Sequence, residues 1–205
     1  PILGAGDGNL NAVWATSTPG EYFVVGTTGR IYYVRNNGSM FTREGMGVTP
    51  DTLFGVSGVA TSGTGTATEV YAVGSNGRIV HRQAGTWMVE ADTLVAQTLN
   101  SVWCGDGSAS GEVYAAGDSG VFLVRRGGTW SSESTPVTTQ INGLWAAGDE
   151  LYAVGSAGTV LQRKAGTWKQ EAMGLTSELL SAVWGSTRGG QTTVDMANGP
   201  VQRVQ

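Results

Sequence analysis

The sequence predicts an all-β fold, a five-bladed β-propeller built from four-stranded antiparallel blades. Two observations predict it: a glycine-bounded hairpin recurs along the chain, and the unit around that hairpin repeats every roughly 40 residues, the length of a propeller blade. The composition agrees, because 33 glycines in 205 residues suit many tight turns and 14% charged residues do not indicate a disordered chain.

Each unit begins with a short apolar run that we predict as the innermost strand. The run starts with leucine or isoleucine and, in four copies, ends with tryptophan. The five copies occupy residues 10–14, 53–57, 99–103, 141–145 and 180–184. Because no single blade can bury both of its sides, the copies are expected to pack on one another in a single domain, residues 1–205.

The hairpin that follows is clearest between Glu150 and Arg163, where Gly155 and Gly158 bound two residues. Glycines at such positions are typical of tight hairpin turns. Counting outward from a two-residue loop pairs Glu150 with Arg163. The same count gives two further pairs, Glu69 with Arg82 and Glu112 with Arg125. An exposed pair contributes only about 0.2–1 kcal/mol, so we interpret these pairs as determinants of register.

The outermost strand is predicted from Gly-Thr-Trp, which follows three hairpins and ends at Trp87, Trp130 and Trp168. The predicted blades span about residues 10–52, 53–98, 99–140, 141–179 and 180–205. The last blade lacks this strand. An open sheet edge favours aggregation, so we expect segment 1–9, through Ile2 and Leu3, to close the ring. The alternative is a fragment of a longer chain with further blades.

These repeats resemble tandem propeller repeats of secreted bacterial proteins, the propellers of photosystem II assembly factors and the wider sialidase-like BNR group. The resemblance rests on Leu-Asn-Ala-Val-Trp, Val-Tyr-Ala-Val-Gly-x-x-Gly and Gly-Thr-Trp, and it implies the propeller fold. A BNR repeat carries the Asp box Ser-x-Asp-x-Gly-x-x-Trp. The turns before Trp87 and Trp168 have no aspartate, so sialidase activity is not implied. Tachylectin-type sugar-binding propellers also have five blades, an analogy of blade count alone.

Charge and composition exclude several functions. The net charge is −4, and no basic stripe indicates a nucleic-acid partner. Cys104 and His81 are the only cysteine and histidine, too few for a disulfide framework, a transition-metal site or a recognisable catalytic group. We expect Cys104 to be buried and His81 to be a surface strand residue. No cofactor motif and no membrane-spanning run is present.

Aromatic and amide side chains of the innermost strands are the predicted binding residues. Four tryptophans end these strands and three asparagines precede them: Trp14, Trp103, Trp145, Trp184, Asn11, Asn100 and Asn142. Core packing is the simpler interpretation of the tryptophans; an aromatic wall that grips a sugar or a protein is the functional one. The asparagines could line the channel and bind a polar ligand, or equally hold ordered water.

From these observations we expect a non-enzymatic recognition or adhesion module, monomeric, that binds a protein or glycan ligand through the propeller faces. The chain starts at Pro1 without a methionine, which is typical of a processed protein or an excised domain. The resemblance to repeats of secreted bacterial proteins implies an exported bacterial protein located outside the cell, in the periplasm or at the cell surface. The alternatives are a lectin with repeated inter-blade sites and a glycoside hydrolase-like enzyme.

Overall fold

The structure is a computed structural model that describes residues 8–60, 67–91, 94–105, 111–171, 176–188, 191–197 and 202–204. In these residues, five antiparallel sheets follow one another along the chain, four with four strands and the last with three. The first three sheets contain β1 Leu10–Ala15, β2 Tyr22–Gly26, β3 Ile31–Arg35, β4 Met40–Glu44, β5 Leu53–Ala60, β6 Ala67–Gly74, β7 Ile79–Gln83, β8 Thr86–Ala91, β9 Leu99–Cys104, β10 Val113–Gly117, β11 Phe122–Arg126 and β12 Thr129–Ser132. The last two contain β13 Ile141–Ala147, β14 Glu150–Gly155, β15 Val160–Lys164, β16 Thr167–Glu171, β17 Ala182–Arg188, β18 Gln191–Ala197 and β19 Gln202–Val204.

The all-β propeller fold predicted from the sequence is confirmed, and each sheet is one blade with its strands in chain order. First strands of successive blades pack side by side, from β1 on β5 to β13 on β17. Within the described residues, β1 and β17 do not pack in this way. The predicted closure through Ile2 and Leu3 lies outside the described residues.

The core lies between the blades rather than within any of them. Phe23 and Val25 of blade 1 form one apolar cluster with Leu53, Val56 and Val70 of blade 2. Three further clusters join blades 2 and 3, 3 and 4, and 4 and 5 in the same manner. Alternation along each strand sends successive side chains to the preceding and to the following blade, so each inner strand serves two interfaces.

The predicted hairpin register is wrong by one residue. The turn after β6 has three residues rather than two, because the N–H of Gly74 donates to the carbonyl of Arg78 at 3.0 Å. Arg82 therefore pairs with Val70 and not with Glu69. The same shift places Arg125 opposite Val113 and Arg163 opposite Leu151.

A left-handed residue in the middle of each turn causes the extra length. Asn76 has φ 58°, and Ser119 and Ala157 have φ 59° and 53° at the same position. The glycine that follows lies against the link to the next blade: a Cβ at Gly158 would lie 1.9 Å from the Thr176 carbonyl oxygen. Glycine is thus required at that position by φ and by space, whereas the central position tolerates other residues at a cost in strain.

We predict opposite effects of two adjacent substitutions in the turn of blade 4. Ala157→Gly should stabilise the protein by about 0.5–1 kcal/mol, because glycine relieves the left-handed strain that alanine bears. Gly158→Ala should destabilise it by about 2–4 kcal/mol, since the new Cβ meets a backbone carbonyl. Urea unfolding followed by circular dichroism measures both. A loss of stability in Ala157→Gly would contradict the three-residue turn.

Candidate functional site

Adjacent blades are joined by a carboxylate that receives hydrogen bonds from an arginine and a tryptophan of the next blade. At the end of β4, Glu44 accepts from Arg82 Nε at 2.8 Å and Nη2 at 3.2 Å. Trp87 Nε1 donates to the same carboxylate at 2.8 Å. We call this arrangement the interblade bridge. The Glu44 and Arg82 side chains are 16% and 13% exposed, and these hydrogen bonds offset the cost of shielding the two charges from water.

The bridge recurs between the next two pairs of blades. Glu90 accepts from Arg125 at 2.8 Å and from Trp130 at 3.0 Å. Glu133 accepts from Arg163 at 2.6 and 3.0 Å and from Trp168 at 2.9 Å. Each arginine also lies over an aromatic ring of the preceding blade. The guanidinium-to-ring distances are 5.2 Å for Arg82 on Phe23, 5.5 Å for Arg125 on Tyr71 and 5.6 Å for Arg163 on Tyr114.

The sequence carries a signal for the bridge that the pairing argument missed. A glutamate follows three residues after Trp87, Trp130 and Trp168, and Glu44 follows Phe41 at the same spacing. Because the predicted register was wrong by one residue, each arginine was paired with a glutamate of its own hairpin. In the structure those glutamates pair with the next residue along: Glu112 with Arg126, and Glu150 with Lys164.

Glu90 has a third partner besides its arginine and tryptophan, because His81 Nδ1 lies 3.6 Å from it. Burial opposes its ionisation, but contact with His81 and hydrogen bonds from Trp130 and Arg125 outweigh burial and lower its pKa to about 2. His81 stacks on Tyr71 with 4.1 Å between ring centroids and is 3% exposed. The expectation that His81 is a surface residue is therefore wrong, because the strand side that it occupies faces blade 3. Cys104 is buried as predicted, and burial raises the pKa of its thiol to about 12.

Three of the four predicted tryptophans contact the following blade. A Cβ at Gly58 would lie 2.8 Å from the Trp14 ring, and one at Gly185 would lie 2.6 Å from the Trp145 ring. Trp103 belongs to the cluster between blades 3 and 4 and lies 6.0 Å from Tyr114. Trp184, in the last blade, is 40% exposed. Three of the four tryptophans thus pack between blades, and a ligand role for the four stays a prediction.

The three predicted asparagines link the innermost strands. Asn11 donates its side-chain amide to the Leu53 carbonyl at 2.8 Å, and Asn142 donates to the Leu180 carbonyl at 2.9 Å. Asn100 donates to the Ile141 carbonyl at 3.1 Å and to Asp118 at 3.0 Å. Each asparagine thus donates one hydrogen bond to the next blade, and a ligand role for these amides stays a prediction.

A cleft of about 490 Å³ lies between blades 3 and 4. Trp103 and Tyr114 line the cleft, together with Gly148 and Asp149 of the turn from β13 to β14. The side chain of Arg126 is 45% exposed at its border. The remaining lining residues include Glu112, Ala146, Glu150, Leu151, Arg163, Ala165 and Gly166. The cleft thus offers aromatic faces beside charges of both signs.

Two carboxylates of the cleft, Glu112 and Glu150, are held in their ionised form. Burial of Glu112 opposes ionisation, yet hydrogen bonds from Tyr114 and Arg126 outweigh it and lower its pKa. A hydrogen bond from Lys164, followed by one from Tyr152, lowers the pKa of Glu150. Neither group is suited to donate a proton near neutral pH. In the part of the chain that the structure describes, no three metal-binding side chains converge.

We predict that Glu90→Gln destabilises the protein by about 3 kcal/mol, because it leaves Arg125 without a counter-charge inside the interface. Glu171→Gln is the matched control. Glu171 occupies the equivalent position in blade 4 but pairs at the surface with Lys169. The control should change stability by less than about 0.5 kcal/mol. Equal effects in urea unfolding would show that the bridge does not hold the blades together.

Acid should remove the contribution of Glu90. Its folded-state pKa lies below the unfolded value, so the stabilisation is complete above the unfolded pKa of about 4.5 and is lost as the pH falls toward 2. The stability difference between the wild type and Glu90→Gln should therefore be constant from pH 7 to about 5.5 and shrink at lower pH. Urea midpoints at a series of pH values measure it, and a constant difference down to about pH 3 would contradict the assignment.

Comparisons with known proteins support the fold of the chain and do not identify a family. No protein-family model matches the chain, and no curated protein does. No helix of the described residues is long and apolar enough to cross a membrane.

Solved structures resemble the chain over nearly its whole length. YCF48 bound to D1 peptide superposes with a TM-score of 0.67 and 14% identity, over 97% of this chain and 65% of that one. The WD40 β-propeller domain of Doa1 gives 0.68 and 13%, over 98% and 67%. An ancestral GH74 enzyme gives 0.71 and 16%, over 94% and 30%. At these identities the likeness shows a β-propeller, and this chain spans about two thirds or less of each of those proteins.

Proposed function

We propose that the protein is a non-enzymatic recognition module that binds an extended segment of another protein in the cleft between blades 3 and 4. The observation that carries this proposal is the combination of Trp103 and Tyr114 with the exposed Arg126 and Asp149 around one opening. Aromatic residues and arginine dominate the energetics of protein interfaces. Charges of opposite sign around one opening would give a bound peptide one direction and one register.

The residues of the cleft suit binding because they are held in place before a ligand arrives. Glu112 fixes both Tyr114 and Arg126 through hydrogen bonds. Arg163 beneath them is held by Glu133 in the interblade bridge. Side chains that are already ordered lose little entropy when a ligand binds. Arg126 retains an exposed edge for a carboxylate or a peptide carbonyl.

The structural neighbours support a protein ligand by analogy. YCF48, which shares the fold, is solved with a D1 peptide bound. The WD40 domain of Doa1 adds a second propeller of similar shape. Since identity is below a fifth in both, they support the type of ligand and not its sequence.

The enzyme alternative derives support only from the GH74 neighbour. Glycoside hydrolysis needs one carboxylic acid with a raised pKa as proton donor. Glu112 and Glu150 both have lowered pKa values, so they fit structural roles better than acid catalysis. The lectin alternative requires similar glycan-binding sites between successive blades. The engagement of Trp14, Trp145 and Asn142 between blades weakens it. An exported bacterial origin stays a prediction.

A displayed library of random linear peptides, selected on the immobilised protein, tests the proposal. We expect enriched peptides whose binding falls at least about tenfold in Arg126→Glu and in Asp149→Lys, because both substitutions reverse a charge at the cleft. Arg43→Glu is the matched control, since Arg43 is exposed on β4 of blade 1. Its binding should equal that of the wild type.

Two results would contradict the proposed function. The first is a set of enriched peptides that bind all four proteins equally, which would place recognition elsewhere. The second is no enrichment together with glycan-array binding that Arg126→Glu abolishes, which would favour the lectin.

A further inference from the structure

The cleft between blades 3 and 4 contains two aromatic rings, and an arginine of the chain lies over only one of them. The Arg163 guanidinium lies 5.6 Å from the centre of the Tyr114 ring. The Trp103 ring lies 6.0 Å from the Tyr114 ring and is partly exposed. Among the described residues, no arginine or lysine lies over Trp103. Tryptophan attracts cations more strongly than tyrosine does, so the better cation-binding ring of the cleft is the one without a cation.

The two arginines of the cleft are already balanced by carboxylates of the protein. Arg126 contacts Glu112 and also lies 3.4 Å from Glu133. Arg163 pairs with the same Glu133 at 2.6 Å. Two positive charges thus face two negative charges at close range. An incoming cation is therefore repelled less than it would be by unpaired arginines.

Asp149 gives the cleft an excess of negative charge. It is exposed in a two-residue turn, across which Ala147 pairs with Glu150. Within the part of the chain that the structure describes, its carboxylate forms no ion pair and accepts no hydrogen bond. Lys164 contacts Glu150 instead. The hydrogen bond to Glu150 raises the pKa of Lys164, and the charge of Asp149 raises it further, so one lysine serves two carboxylates.

We propose that the cleft binds an arginine side chain of the partner protein, whose guanidinium lies against Trp103 and pairs with Asp149. This assignment rests on the proposed function, which places the partner in the same cleft. Arginine fits better than lysine, because a planar guanidinium stacks on a ring and donates to a carboxylate at the same time. The protein's net charge of −4 also attracts basic segments.

The protein itself holds arginines by the same combination of a ring and a carboxylate. Arg163 lies over Tyr114 and pairs with Glu133. Arg125 lies over Tyr71 and pairs with Glu90 in the same way. A guest arginine between Trp103 and Asp149 would repeat this arrangement at the mouth of the cleft.

Titration of the isotope-labelled protein with Nα-acetyl-L-arginine amide, followed by NMR, tests the proposal. The indole N–H signal of Trp103, identified as the signal that Trp103→Phe loses, should shift on binding. Nα-acetyl-L-citrulline amide has the same shape without the charge and should bind at least about threefold more weakly. Asp149→Asn should weaken binding of the arginine amide at least about threefold. Glu178→Gln is the matched control, because it removes one exposed carboxylate outside the cleft, and it should bind like the wild type.

Two results would overturn the arginine site: an arginine amide that binds no more tightly than the citrulline amide, or equal binding by Asp149→Asn and the wild type. Far-UV circular dichroism verifies that the variants are folded.

The peptides enriched on the immobilised protein separate this site from the proposed function. If Arg126→Glu abolishes their binding but replacing their arginines by citrulline does not weaken it, the cleft binds peptides and the arginine site is wrong. If the arginine amide shifts the Trp103 signal and no peptide is enriched, the arginine site holds and the extended protein ligand is wrong.

Discussion

The structure depends on the inability of a four-stranded sheet to cover its own two sides. Each blade in the described chain places apolar residues on both sides, and the four clusters of the core all lie between blades. Hydrophobic contact supplies most of the favourable free energy, but it is not directional. Polar groups add direction, and at the first three junctions an interblade bridge joins one carboxylate to an arginine and a tryptophan of the next blade.

A buried ion pair is weak evidence for stability by itself, because desolvation offsets much of the attraction. The bridges are better understood as specificity elements. A blade that slid along its neighbour would separate Glu90 from Arg125 and leave two uncompensated charges in the interface. The penalty for misalignment is therefore larger than the gain from correct alignment. This asymmetry explains why short, similar blades pack in one register.

The sequence predicted the elements that depend on local pattern. Glycine spacing located the hairpins, and apolar runs located the inner strands, because turns and alternation are decided within a few residues. It did not predict the register, since Ser119 and Ala157 adopt left-handed φ values that are uncommon for serine and alanine. That one-residue error hid the bridges and placed His81 at the surface. Pairing residues within one hairpin cannot predict hydrogen bonds and packing contacts with residues of another blade.

Consecutive residues on one strand have different roles, because one joins the blades and the next lines the cleft. Arg125 and Arg126 are consecutive on β11 and point to opposite sides of the blade. Arg125 is fixed to Glu90 and holds blades 2 and 3 together, whereas Arg126 turns to the cleft between blades 3 and 4. Arg163 and Lys164 repeat this division on β15, one held by Glu133 and the other exposed. Arg126 Nη2 also lies 3.4 Å from Glu133, so the cleft-facing arginine borders the bridge between blades 3 and 4. A ligand that draws Arg126 away would leave Glu133 its two hydrogen bonds from Arg163, so the blades would stay joined.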